Sequence, residues 1–133
     1  MNKIMTEISN QTESALRKLG TSRWHRGNYE VIGFSNEDLQ THYVKVAYCG
    51  TVVVKYTITT DGTIIAALNN GGYCTMTTKN VINAALAWFD GYVYAKKFMW
   101  HVNFGDQVAA PYKNGMKLVR HPAPIELSSE VDF

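Results

Sequence analysis

The sequence predicts an α+β fold: a twisted, mostly antiparallel sheet, built as a meander plus a C-terminal hairpin, packed on one central helix, with an additional helix at the N-terminus. Three observations predict it. Apolar residues alternate with period two between residues 29 and 68, a stripe of helical spacing follows at 78–89, and a second alternating stretch runs from 92 to 104.

The first helix is read over Thr6 to Leu19, where Ile8, Ala15, Leu16 and Leu19 approach helical spacing and Gly20 supplies a C-terminal cap. A basic stretch follows, with four Lys or Arg and His25 between Arg17 and Arg26 and no carboxylate. Tyr29 to Phe34 reads as a strand. In His42 to Tyr48, Val44, Val46 and Tyr48 share one face and Tyr43, Lys45 and Ala47 the other. Thr51 to Thr59 repeats the pattern, with Val52, Val54, Tyr56 and Ile58 set against Val53, Lys55 and Thr57. Asp61-Gly62 signals a tight hairpin with positive φ at both central positions, and Thr63 to Leu68 returns. Thr77 or Thr78 then caps a helix that runs to Phe89. Tyr92 to Tyr94 starts a second hairpin with Lys96-Lys97 near its tip, and Phe98, Trp100, Val102 and Phe104 line one side of the return. Pro111 to Arg120 adds a short edge strand with a turn at Asn114-Gly115. The expected core is Val44, Val46, Val52, Val54, Ile64, Leu68, Ile82, Leu86, Trp88, Phe98, Trp100 and Val102.

With 133 residues, 46% hydrophobic and 18% charged, the chain suits one domain over residues 1–121 and excludes a disordered, coiled-coil or fibrous protein. Residues 122–133 form an acidic, irregular tail. The formal charge of +2 divides into +5 over residues 1–120, with 13 basic and 8 acidic side chains, and −3 from Glu126, Glu130 and Asp132. Two cysteines make no disulfide framework, and buried thiols in a reducing host cytoplasm are the expectation. No apolar run approaches the ~18 residues of a membrane helix, so no membrane partner is expected.

Residues Gly50 to Arg120 carry a pattern: Val52-Val53-Val54, the strand and loop Ile64 to Gly72, the run Gly72-Tyr73-Cys74-Thr75-Met76-Thr77-Thr78-Lys79, Ile82-Asn83, Trp100-His101-Val102 and Tyr112-Lys113-Asn114-Gly115-Met116. This stretch resembles a family of small proteins of unknown function from tailed bacteriophages and related mobile elements. The family's Trp after the paired glycines is Tyr73 here, and the basic residue after Thr-Thr-Lys is Asn80. The resemblance implies a phage origin and assigns no catalytic residue.

Glycines and hydroxyls before a helix can hold an anion, which makes Gly72, Thr77, Thr78 and Lys79 a candidate anion site. Capping and turn formation explain the same residues without a ligand. Cys49, Cys74, His42 and His101 lack the close spacing of a metal site, and no histidine stands in a catalytic motif, so no metal, cofactor or enzymatic activity is expected. Basic residues interleaved with aromatics single out Arg23, Trp24, Arg26, Lys45, Lys96 and Lys97 as candidate binding residues. The order helix, three strands, helix is similar to the double-stranded-RNA-binding fold, without that fold's lysine cluster at its second helix. An exposed face of Tyr43, Val53 and Ile65 would equally suit protein docking. The expectation is a non-enzymatic phage accessory protein that binds and modulates a host or defence-system protein, with DNA or RNA as the alternative partner. The N-terminal helix lies on the flank or serves self-association into a homo-oligomer.

Overall fold

A computed structural model describes residues 2–122. The expected acidic tail lies outside the described residues from 123 onward. The chain runs through α1 (Lys3–Arg17), β1 (Ser22–Arg26), β2 (Tyr29–Asn36), β3 (Thr41–Tyr48), β4 (Thr51–Ile58), β5 (Ile64–Leu68) and α2 (Met76–Leu86). A 3-10 turn (Ala87–Phe89) then leads to β6 (Gly91–Lys96), β7 (Met99–Phe104), β8 (Ala110–Pro111) and β9 (Lys117–Arg120). The class is α+β. All pairings are antiparallel and fall into two sheets, β1-β2-β3-β4-β5-β9 and β6-β7-β8, so the second hairpin does not extend the meander.

Helix α1 starts earlier than the apolar spacing implied, because the Asn2 carboxamide accepts the Met5 N–H at 2.9 Å and caps it. It also stops short of Gly20: Lys18 turns extended and feeds β1, and the Gly20 N–H donates to Ser35 Oγ. Met5, Ile8, Thr12, Ala15 and Leu16 are buried at helical spacing. His42 on β3 fastens this face, its ring bridging Ala15 O at 2.7 Å and Ser35 Oγ at 2.8 Å. Helix α2 packs beside α1, and Tyr56 on β4 donates to Ala85 O at 2.7 Å. Burial holds that phenol far above its ordinary pKa, so it stays a donor.

Several expectations need correction. Five strands, not three, separate the helices, which removes the parallel with the double-stranded-RNA-binding fold. The basic stretch, to which the sequence assigns no strand, contains β1, which pairs along its length with β2 around the turn at Gly27. Only Gly62 has positive φ in the β4–β5 turn; the Asp61 carboxylate instead accepts the Thr63 N–H and the Thr59 hydroxyl. These hydrogen bonds, that of Thr59 foremost, lower the Asp61 pKa to about 2. Helix α2 is capped by Thr75, whose Oγ1 accepts the Thr78 N–H, while Thr78 is buried within the first turn.

A bulge decides which β4 residues are inside. Val46 pairs with Val54 and Ala47 with Val52, leaving Val53 unmatched, and Val53 and Val54 are both buried. Val53 is therefore core, not part of an exposed patch, and Val52 is only half-buried. Val44, Val46, Val54, Leu68, Ile82, Leu86 and Val102 are buried as expected. Ile64, Trp88 and Trp100 are half-buried at the margins, and Phe98 is fully exposed because it lies in the β6–β7 turn and not in the return strand.

The two sheets are joined through α2 and the turn that follows it. Asn83 of α2 spans the free edge of β6, donating to Val93 O at 2.9 Å and accepting the Val93 N–H at 2.6 Å. Phe89 stacks on Phe104, and Arg120 at the end of β9 lies over the Phe89 ring and donates to Phe89 O at 2.6 Å.

Candidate functional site

Both helices lie on the face of the six-stranded sheet that carries Val44, Val46, Val54 and Tyr56. The opposite face, among the described residues, has no helix over it. Strand pairing sets Arg23, Ile32, Lys45, Lys55, Ala67 and Lys117 in one row across all six strands of that face. A second row beside it holds Phe34, Tyr43, Thr57, Ile65 and Val119. At about 4.8 Å between strands, the basic row spans about 24 Å.

The rows are in contact. Phe34 and Tyr43 stack at 5.0 Å between centroids, Lys45 Nζ lies 5.4 Å from the Phe34 ring, and Lys55 Nζ lies 5.3 Å from Tyr43. Lys45 and Lys55 face each other directly across neighbouring strands, an arrangement that repels. Arg23 is held by Glu30 through Nε at 3.0 Å and Nη2 at 2.7 Å. Among the described residues Lys45, Lys55 and Lys117 form no ion pair.

The six candidate binding residues separate into different places. Arg23 and Lys45 share the basic row. Trp24, one residue on from Arg23, points to the opposite face and packs half-buried against the core. Arg26 pairs with Glu7 of α1. Lys96 and Lys97 sit at the tip of the other sheet. Lys55 and Lys117 complete the row and were missed. Lys55 stood in an alternating strand beside the aromatic Tyr56, which was a visible signal; its partner across the sheet was not.

The candidate anion site lies at the start of α2, beside a cleft of about 280 Å³ lined by Tyr48, Cys49, Thr51, Val53, Asn70, Tyr73, Thr75 and Thr78. Thr75 Oγ1 is used by the Thr78 N–H, and the Thr75 hydroxyl donates to Thr78 Oγ1, so the cap engages the hydroxyl on Thr78. Gly72 is exposed, and its N–H donates to Asn70 Oδ1. Thr77 and Lys79 are half-buried. Cys49 and Cys74 are both free and exposed, against the expectation of buried thiols, because Cys49 occupies a β3–β4 turn with φ +52° and Cys74 the loop before α2. A hydrogen bond with Cys49, followed by burial, raises the Tyr48 pKa. Among the described residues no group of three His, Cys, Asp or Glu side chains is placed to hold a metal ion, and no helix is long and apolar enough to cross a membrane.

Fold and surface together define a small α+β protein of two antiparallel sheets, one of which presents a basic row and an aromatic row on an open face. The chain belongs to the Kyanoviridae Gp96 protein family, a bacteriophage family of unknown function, whose profile matches residues 5–119. The match reaches well upstream of the Gly50–Arg120 stretch that carried the resemblance and takes in β1 to β3. No curated protein and no solved structure matches the chain.

Proposed function

We propose that this phage protein is a non-enzymatic accessory protein that binds a single strand of nucleic acid across the open face of its six-stranded sheet. The observation that carries this reading is the cross-strand row Arg23, Lys45, Lys55 and Lys117 running beside Phe34 and Tyr43. Two lysines placed directly opposite each other repel, and a polyanion lying between them turns that repulsion into attraction. The Phe34 and Tyr43 rings, stacked on each other and covered by Lys45 and Lys55, become base-stacking surface when the lysines turn to phosphates. The basic side chains gathered here also favour a phosphate polymer over the host or defence protein expected from the sequence.

The test is fluorescence anisotropy with labelled 20-nucleotide DNA and RNA strands and with a duplex, at several salt concentrations. Wild-type protein is expected to bind the single strands with a log–log salt slope of about −2, as three unpaired lysines imply. The double variant Lys45→Glu/Lys55→Glu should weaken binding by about a hundredfold or more at low salt. Salt-independent binding, an undiminished affinity in the double variant, or no strand binding overturns the reading. Recovery from phage-infected cells of one stable, nuclease-resistant protein partner, lost in the same variant, would replace it with the host-protein reading.

A further inference from the structure

The second hairpin is built against the preference of its own turn. Two residues, Lys97 and Phe98, join β6 to β7, and both have positive φ, +54° and +66°. Hairpins of this kind ordinarily place Asn-Gly, Asp-Gly or Gly-Gly there, because a side chain with a Cβ is strained in that conformation. Phe98 has a relative exposure of 104%, so no burial of its ring compensates for the strain. Met99 beside it is exposed as well.

The chemistry around the tip is one-sided. Residues 91–105 contain Lys96, Lys97 and His101 and no carboxylate. Neither lysine forms an ion pair among the described residues. Behind the tip the same face carries Tyr94 stacked on His101 at 5.5 Å between centroids.

An exposed ring at the end of a two-stranded ribbon, flanked by ammonium groups, can enter a nucleic acid as a wedge. The ring stacks on a base while the lysines meet the neighbouring phosphates. We infer that the Lys97-Phe98 turn is a base-stacking wedge, a second contact on the nucleic-acid strand, and that the strained turn is retained for it. The inference rests on the nucleic-acid reading of the sheet face and adds to it a site on the other sheet.

The experiment replaces the turn by the residues its geometry prefers, Lys97→Asn/Phe98→Gly, and compares it with Phe98→Leu, which keeps an apolar side chain without a π face. Thermal unfolding of the double variant is expected to shift upward by about 4 °C. Its affinity for a labelled 20-nucleotide strand should fall about tenfold, and Phe98→Leu should fall by a similar factor. With a strand carrying 2-aminopurine, the fluorescence change seen on binding wild-type protein should be lost in both. Unchanged affinity and an unchanged 2-aminopurine response in both variants overturn the wedge while leaving the sheet-face reading intact. Strand binding that is absent in the wild type overturns both. Wild-type affinity in Phe98→Leu, with loss only in the double variant, overturns stacking and reduces the tip to the charge of Lys97.

Discussion

Replacing Asn83 by Ala removes a two-pronged clamp from the edge of β6. Its amide donates to Val93 O at 2.9 Å and accepts the Val93 N–H at 2.6 Å, and Val93 is 1% exposed. Water therefore has poor access to the two backbone groups left behind. An unsatisfied buried donor or acceptor costs about 1–3 kcal/mol, and partial relaxation brings the expected loss for the pair to about 2–4 kcal/mol. That is a large share of the roughly 7–15 kcal/mol expected for a chain of this size. Urea unfolding followed by tryptophan fluorescence measures it, and amide hydrogen exchange at Val93 locates it. Asn83→Asp adds a sign. The carboxylate still accepts from the Val93 N–H but opposes the Val93 carbonyl, so its folded-state pKa is raised and the variant should gain stability relative to wild type as pH falls toward 4. A loss below about 0.5 kcal/mol in Asn83→Ala, with the Val93 amide still protected, would refute the account of the clamp.

Other expected outcomes concern single hydrogen-bonded groups. Asp61→Asn should flatten the acid side of the stability profile: a carboxylate with a folded pKa near 2 contributes stability above about pH 4, and that contribution is lost as pH falls to about 2. An NMR titration of the Asp61 carboxyl carbon with a midpoint near 4 would contradict this. Tyr56→Phe leaves Ala85 O without its donor and should cost about 1–2 kcal/mol in chemical unfolding, with the helix α2 amides exchanging faster; an unchanged midpoint would count against the bond's role.

Much of the fold is visible as periodicity. The alternation in β2 to β5 and the stripe of α2 follow from one face of each element being buried, which is the situation in which sequence pattern carries structure. β1 escapes notice because Ser22–Arg26 is an edge strand with four exposed or half-exposed polar residues around a single packed ring, Trp24. The Lys97-Phe98 turn escapes because neither residue is a turn former, so the alternation reads as starting one residue too early. The bulge hides the register of the site. The alternation sets Lys45 and Lys55 away from Val44, Val46, Val52 and Val54, but counting back from the Cys49-Gly50 turn in regular register pairs Lys45 with Val54. The extra residue at Val53 moves the partner to Lys55, so the two lysines stand directly opposite each other. The faces of Lys45 and Lys55 could thus be read from the sequence, and the six-strand row could not, because it depends on residue-by-residue pairing.

Among the described residues, each sheet edge is short, charged or covered by a different means. β1 presents Arg23, His25 and Arg26; β6 has the Asn83 clamp; β8 is two residues long and ends in Pro111, which has no N–H; β9 is four residues long and ends in Lys117 and Arg120. The nine strands of the described residues thus end in edges of the kind that disfavours pairing with a further strand. Substitutions on the sheet faces and at the turns can therefore change the chemistry of the surface without touching the backbone ladder that holds the fold.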